Sequence, residues 1–221
     1  MKYSIAIDGP AGAGKSTIAK LAAKRLGIPY LDTGAMYRAA AVACKKHGVD
    51  VTDREAVRAY LPAMQIEVEY NDYGEQHMRI DGEDVTNQLR TEEISQGASL
   101  VSMIPEVRDR LVELQREAAH RQAVIMDGRD ICTNVLSDTP HKFFITASAE
   151  ERATRRCIQL VAQGQPADYE TILKDIVKRD KQDSEREYMP LVCREDTVLI
   201  DTTNMTIEQA VACLLSKVHE A

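Results

Sequence analysis

Residues 9–17, Gly-Pro-Ala-Gly-Ala-Gly-Lys-Ser-Thr, hold the densest chemical signal in the chain. Gly9-x-x-x-x-Gly14-Lys15-Ser16 is the spacing of a phosphate-binding loop, in which glycines let successive backbone N–H groups turn inward. The apolar run "YSIAI" precedes it and the helical pattern "TIAKLAAKRL" follows, so the loop ends on a helix N-terminus with its unpaired donors and positive dipole end. Lys15 can bring a full charge to outer phosphates, and the Ser16 hydroxyl can ligate Mg²⁺. An ordinary glycine-rich turn is the competing reading; motif, context and the Lys-Ser pair together weigh against it. A nucleoside triphosphate is expected on Gly9, Pro10, Ala11, Gly12, Ala13, Gly14, Lys15, Ser16 and Thr17.

No NKxD base-reading motif is present, and the chain is short for a motor or large ATPase. A small phosphotransferase remains, and its phosphoryl acceptor calls for a second set of anion-binding arginines. "LDTGAMYR" (31–38) sets Thr33 and Gly34 at a helix start with Arg38 one turn in; a solvated helix charge explains Arg38 equally well. "MDGRDICT" (126–133) ends a strand in Asp127 and then presents Arg129 and Asp130 side by side. The carboxyl end of a parallel strand is where α/β proteins bind ligands, although a turn with a local ion pair gives the same letters. In "KRDKQDSER" (178–186), a helix would stack Arg179, Asp183 and Arg186 on one face, and a salt-bridged solvated face is the plainer reading. Arg152, Arg155 and Arg156 taken singly read as surface charge.

The elements that must position these residues alternate. "YSIAID", "IPYLD", "AVIMD", "KFFITA" and "TVLID" read as short buried strands, several of them near-continuously apolar, as in a parallel sheet covered on both faces. Amphipathic helices lie between them. Ile207, Ala210, Val211, Leu214, Leu215 and Val218 form one stripe, with Thr206 and Gln209 at capping-box spacing; Ser148 and Glu151 repeat that spacing. Ile104, Val107, Leu111, Leu114 and Ala118 form another, which Arg108 flanks. The alternation predicts βαβ units and a doubly wound α/β core. Residues 64–86 instead alternate at period two, with Ile66, Val68 and Tyr70 on one strand, Met78 and Ile80 on the next, and turns at "DYG" and "DG". They predict a small antiparallel insertion. A second irregular stretch runs over 162–169.

The whole chain sets bounds. Its 221 residues suffice for one sizeable α/β domain with inserted lobes, and its formal net charge of −7 disfavours a sequence-independent nucleic-acid binder. Five scattered cysteines without CxxC spacing read as reduced thiols of a cytoplasmic protein. The apolar run near the start is short for a signal peptide, no later segment approaches a membrane span, and a monomer is expected.

"GPAGAGKST", "LDTGAMYR", "DGRD", "KRDKQDSER" and "IDTT" stand in the order and spacing of bacterial cytidylate kinases, which the chain resembles from about residue 2 to its end. The resemblance implies a P-loop core with a five-stranded parallel sheet over 1–34 and 100–221. It also implies a nucleoside-monophosphate lobe over 35–99 carrying the β insertion at about 64–95, and a lid at 155–170. It implies transfer of the ATP γ-phosphoryl group to CMP, and to dCMP, with Mg²⁺ on Ser16 and a metal-bound water on Asp127; another nucleoside monophosphate or small acceptor is the alternative. By the same resemblance Arg38 and Arg129 grip the CMP phosphate, while Thr33, Ser99, Arg108 and Asp130 meet the cytosine. Arg179 and Asp183 hold the ribose, and Arg186 serves phosphate and ribose. Lys15, Arg129 and a lid arginine, Arg155 or Arg156, act on the transferring group, with Arg156 counted among the catalytic residues. The chemistry of cytosine agrees: a carboxylate accepts from its N4 amino group, and a guanidinium donates to its ring acceptors. The chain departs from the family pattern at Cys132, where glycine is usual, and at Thr33, where serine is.

Overall fold

The computed structural model of the protein describes residues 3–71 and 74–219. In chain order the elements are β1 (Ile5–Asp8), α1 (Lys15–Leu26), β2 (Tyr30–Asp32), α2 (Thr33–Lys46), α3 (Arg54–Tyr60), β3 (Ile66–Tyr70), β4 (Gln76–Ile80) and β5 (Glu83–Asp84). There follow α4 (Glu92–Val101), α5 (Pro105–Arg121), β6 (Ile125–Gly128), β7 (His141–Thr146), α6 (Ala149–Ala162), α7 (Tyr169–Glu185), β8 (Val198–Asp201) and α8 (Ile207–His219). The chain divides into two compact units: one comprises everything up to Ile28 and from Ile125 onward, the other Pro29–Val124.

The five runs read as strands are the five strands of one sheet, in the order β2-β6-β1-β7-β8, with parallel pairing of β1 to β6 and β7 and of β7 to β8. β1 and β6 are buried along their whole length, which is why their sequences show no polar face. β8 differs from expectation. As an edge strand it exposes Val198 and Leu199 and buries only Ile200. Parallel strands of this kind direct their carboxyl ends to one side, and the loops that follow β1 and β6 carry the glycine-rich and Asp-Gly-Arg-Asp motifs.

The helices follow their patterns with local corrections. α8 buries Ala210, Val211, Leu214 and Val218, but Ile207 in its first turn is exposed. Its start is a reciprocal capping box: Gln209 N donates to Thr206 Oγ1 at 3.2 Å, and Thr206 N donates to Gln209 Oε1 at 2.9 Å. α6 has only half of that device, with Glu151 N donating to Ser148 Oγ at 3.1 Å. On α5 the buried face is Val107, Arg108, Leu111, Val112 and Gln115; Leu114 and Ala118 are only partly covered. α7 ends at Glu185, so Arg186 lies just beyond the helix and not on its face.

In the second unit, β3, β4 and β5 form the separate antiparallel sheet. Its register pairs Ile66 with Ile80 and Val68 with Met78, as the period-two pattern requires. Asp81 and Gly82 both have positive φ, 52° and 79°, the backbone that an Asp-Gly hairpin turn needs. Of the "DYG" turn, Asp72 and Tyr73 lie outside the described residues. Among the described residues no helix is long and apolar enough to cross a membrane, and the five cysteines form no disulfide.

Candidate active site

The loop after β1 is shaped by contacts that tolerate no side chain. Gly9 has φ 146°, and a Cβ there would fall 1.9 Å from the Ile145 carbonyl oxygen of β7, an impossible approach. Gly14 caps α1 in the left-handed region without a side-chain acceptor, which leaves the first N–H groups of α1 to a ligand. Lys15 is buried, and its Nζ donates to the Pro10 carbonyl at 2.7 Å, spanning the loop from within. Burial and the neighbouring Arg129 guanidinium push its pKa well below lysine's usual value, against the pull of Asp127, Asp183 and Asp8. Ser16 Oγ donates to Asp127 Oδ2 at 2.9 Å, which joins the end of β6 to the start of α1.

A second cluster surrounds the end of β6. Arg129 Nε donates to Asp183 Oδ2 at 2.7 Å, linking the Asp-Gly-Arg-Asp motif to α7. Burial alone would raise the Asp183 pKa, but Arg129, Arg179 and Arg186 outweigh it and hold the carboxyl below the usual range. Burial likewise opposes the Arg129 charge, and Asp183, Asp127 and Asp8 more than offset it. Asp130 and Arg186, both buried, face each other with Oδ1 to Nη2 at 3.7 Å. Asn134 Nδ2 donates to Asp130 Oδ2 at 3.3 Å, and Arg186 Nε donates to the Met189 carbonyl. Arg179, Asp183, Arg186, Arg129, Asp130, Lys15 and Ser16 all belong to this first unit.

Arg155 and Arg156 on α6 diverge. Arg155 donates to Glu151 Oε1 and to the hydroxyl and carbonyl of Thr202, and its Nη1 lies 3.8 Å from where a Gly14 Cβ would stand. Arg156 Nη1 donates to Gln159 Oε1 of its own helix.

The second unit holds the remaining residues. Asp32 N-caps α2 with Oδ1 accepting from Ala35 N, and its Oδ2 accepts from Arg38 Nη2 at 2.8 Å. Gly34 fits beneath this pair, since a Cβ there would stand 3.1 Å from Asp32 Oδ1 and 3.2 Å from Arg38 Nη1. Gln76 of β4 brackets the Asp32 backbone. Its Oε1 accepts from Asp32 N at 2.7 Å, and its Nε2 donates to Asp32 O at 3.2 Å. Thr33 is buried at the start of α2, and Ser99 is half-buried on α4. Arg108 is 2% exposed; it lies over the Tyr37 ring at 5.4 Å and donates to the Ser102 carbonyl at 3.3 Å. It is no rim charge.

Two residues, Asp8 and Asp32, escaped the sequence reading, and Arg152 was misread. Asp8, fully buried at the end of β1, accepts from Ile131 N and Cys132 N at 2.8 Å each and so fixes the turn after Asp130. Burial pushes its pKa up to about 6, against those two bonds. Cys132 sits in this turn without a positive φ: its thiol donates to the Phe143 carbonyl at 3.5 Å, and burial with Asp8 nearby holds it well above the ordinary thiol range. Asp32 stands where a helix-start carboxylate is a local signal, and that signal was there to be read. Arg152, read as surface charge, is 4% exposed.

A family model described as cytidylate kinase matches residues 5–220. The cytidylate kinase of Caldicellulosiruptor bescii is 48% identical over 214 residues, 97% of this chain and 94% of that protein. That of Clostridioides difficile is 44% identical over 215 residues, 97% of each. A crystal structure of an uncharacterized protein from Eubacterium ventriosum matches with a TM-score of 0.57 at 14% identity over the full length of both chains, a likeness of fold alone.

Proposed function

This chain belongs to the cytidylate kinase family, and from that membership we propose that it transfers the γ-phosphoryl group of ATP to CMP, giving ADP and CDP, with dCMP as a second acceptor. The observation that supports it best is the geometry of the loop after β1: Gly9 is pressed against the Ile145 carbonyl, and Gly14 opens α1 with no side-chain cap, beside the buried Lys15. A helix start with uncapped N–H donors and a buried cation beside it suits an anion. A phosphoryl group in transit between two phosphates is such an anion.

The proposed roles divide by chemistry. Residues 9–17 cradle the ATP phosphates, with Lys15 on the outer ones. Arg129 and Arg38 take the CMP phosphate, and Asp183 orients the Arg129 guanidinium through its bond to Nε. Arg179, Asp183 and Arg186 serve the ribose, and Arg155 or Arg156 the transferring group. The CMP phosphate is already a competent nucleophile, so the protein need supply only alignment and positive charge. A kinase that uses ATP implies a divalent metal, and the Ser16 hydroxyl beside the Asp127 carboxylate is a set of hard oxygens suited to Mg²⁺. When bound with ATP, that ion neutralises charge on the outer phosphate oxygens.

The base is read by Asp130 and Arg108, with Thr33 and Ser99. Uracil presents an acceptor where cytosine presents an amino group, so UMP sets two acceptors against each other at Asp130. Such a mismatch costs about 1–3 kcal/mol, roughly 5- to 150-fold in selectivity. Formation of ADP with CMP, dCMP, UMP and AMP as acceptors tests the proposal in wild type and in Asp130→Ala. Wild type should prefer CMP, and the variant should lose most of its discrimination against UMP. Preference for AMP, or an unchanged CMP:UMP ratio in the variant, would refute the acceptor or the role of Asp130 respectively.

A further inference from the structure

α6 and α7 are joined through one side chain that the proposed chemistry does not use. Arg152, in the first turns of α6 and 5% exposed at its side chain, spends its guanidinium on three separate pieces of the first unit. Its Nε donates to the Ala147 carbonyl at 2.9 Å, just before α6 begins. Nη1 donates to the Ala11 carbonyl of the phosphate loop at 3.1 Å. Nη1 and Nη2 grip Asp180 of α7 as a fork, at 3.0 Å to Oδ1 and 2.6 Å to Oδ2.

The Ala11 contact has a consequence for the loop's donors. In a planar trans peptide the carbonyl of one residue and the N–H of the next point in opposite directions. With the Ala11 carbonyl held by Arg152, the Gly12 N–H is aimed away from Arg152 and cannot swing. Gly12 is required for the approach, since its φ is 76° and a Cβ there would stand 3.3 Å from the Arg152 Cβ. The Asp180 contact reaches the other side of the chemistry. Asp180 adjoins Arg179 and lies three residues before Asp183, whose carboxylate holds Arg129. A two-bonded guanidinium–carboxylate fork fixes orientation as well as distance. The Ala11 carbonyl, the Arg152–Asp180 fork, the backbone of α7 and the Asp183–Arg129 ion pair therefore form one connected path.

We propose that Arg152 is a positioning residue which couples the phosphate loop to α7 through Asp180, so that filling the acceptor side tightens the donor side, and filling the donor side tightens the acceptor side. The inference rests on the kinase reading above and adds to it a linkage between its two substrates. Such linkage is reciprocal, and couplings of this kind are typically 5- to 150-fold.

The test uses the full chain and the non-hydrolysable donor AMP-PNP with Mg²⁺, titrated calorimetrically with and without saturating CMP. Wild type should bind the analogue at least about fivefold more tightly when CMP is present. In Asp180→Asn that ratio should fall to near one, while the affinity for each ligand alone changes less than about twofold. Arg152→Lys, which keeps the charge but cannot make the fork and the Ala11 bond together, should lose the ratio as well. It also serves if the first variant does not fold. Equal ratios in wild type and variants, or a loss of analogue affinity that is the same with and without CMP, would reduce Arg152 to a local brace and overturn the coupling. Failure of wild type to bind CMP at all would overturn the kinase reading, and the coupling with it.

Discussion

Asp8 shows how a single carboxylate can serve geometry at the expense of its own charge. It receives two backbone N–H groups from the turn that carries Asp130, and no water reaches it. Its pKa, about 6 in the folded chain, lies above the ordinary aspartate value near 3.9, so between those two values the folded state holds a proton that the unfolded state has released. Stability from this group is therefore complete below about pH 4 and is lost as pH rises through 6, by about 3 kcal/mol at most. In Asp8→Asn, Tm measured against pH should lose that downward slope between pH 4 and 6. Below pH 4 its Tm should lie under that of wild type, because the amide nitrogen cannot accept from the second N–H, at about 1–3 kcal/mol, and that deficit should shrink or vanish above pH 6, where wild type has lost its own share. An unchanged slope would show that Asp8 titrates alike in the folded and unfolded states. Sequence could not reveal this residue, whose partners lie more than a hundred positions away. Arg152 was misread for the same reason: the letters around it describe a charged helix, and the carbonyl and carboxylate that bury it come from elsewhere.

The elements were far more legible, because their signals are local. The strands of the parallel sheet announced themselves as short runs, several of them near-continuously apolar, and the insertion by alternation with an Asp-Gly turn. What periodicity could not tell was which strand would lie at an edge, so β8 with its exposed Val198 and Leu199 read like the buried ones. Nor did it tell what the insertion contributes. Gln76, facing Asp32 across 44 positions, bonds both the N–H and the carbonyl of that residue, much as a neighbouring strand would, and Asp32 in turn caps α2 and holds Arg38. The small sheet thereby steadies the start of α2. Gln76→Ala removes two part-buried hydrogen bonds worth about 1–2 kcal/mol together, so Tm should fall by roughly 2–8 °C. KM for CMP should rise more than kcat falls, since Arg38 loses its fixed partner and the donor loop is untouched. Equal KM values would mean that Asp32 holds Arg38 without help from β4.

At the scale of the molecule the two units differ in how the chain composes them. Pro29–Val124 is one continuous stretch, whereas the other unit is assembled from segments on both sides of it. β1 finds its partners β6 and β7 only at Ile125–Gly128 and His141–Thr146. Contacts that close so long a loop form slowly, while the continuous unit can use nearer ones. Pulse-labelled hydrogen exchange during refolding should therefore protect the amides of α2, α4 and the antiparallel sheet before those of β1 and β6. Simultaneous protection of all of them would show that the units fold as one. The same arrangement has a consequence for a nascent chain leaving the ribosome. β1, one of the most apolar strands of the protein, is made more than a hundred residues before anything it can pair with. At about 5–20 residues per second it waits roughly 6–23 s, with the phosphate loop beside it still shapeless. During that interval the chain offers an unpaired apolar strand to chaperones and to other chains.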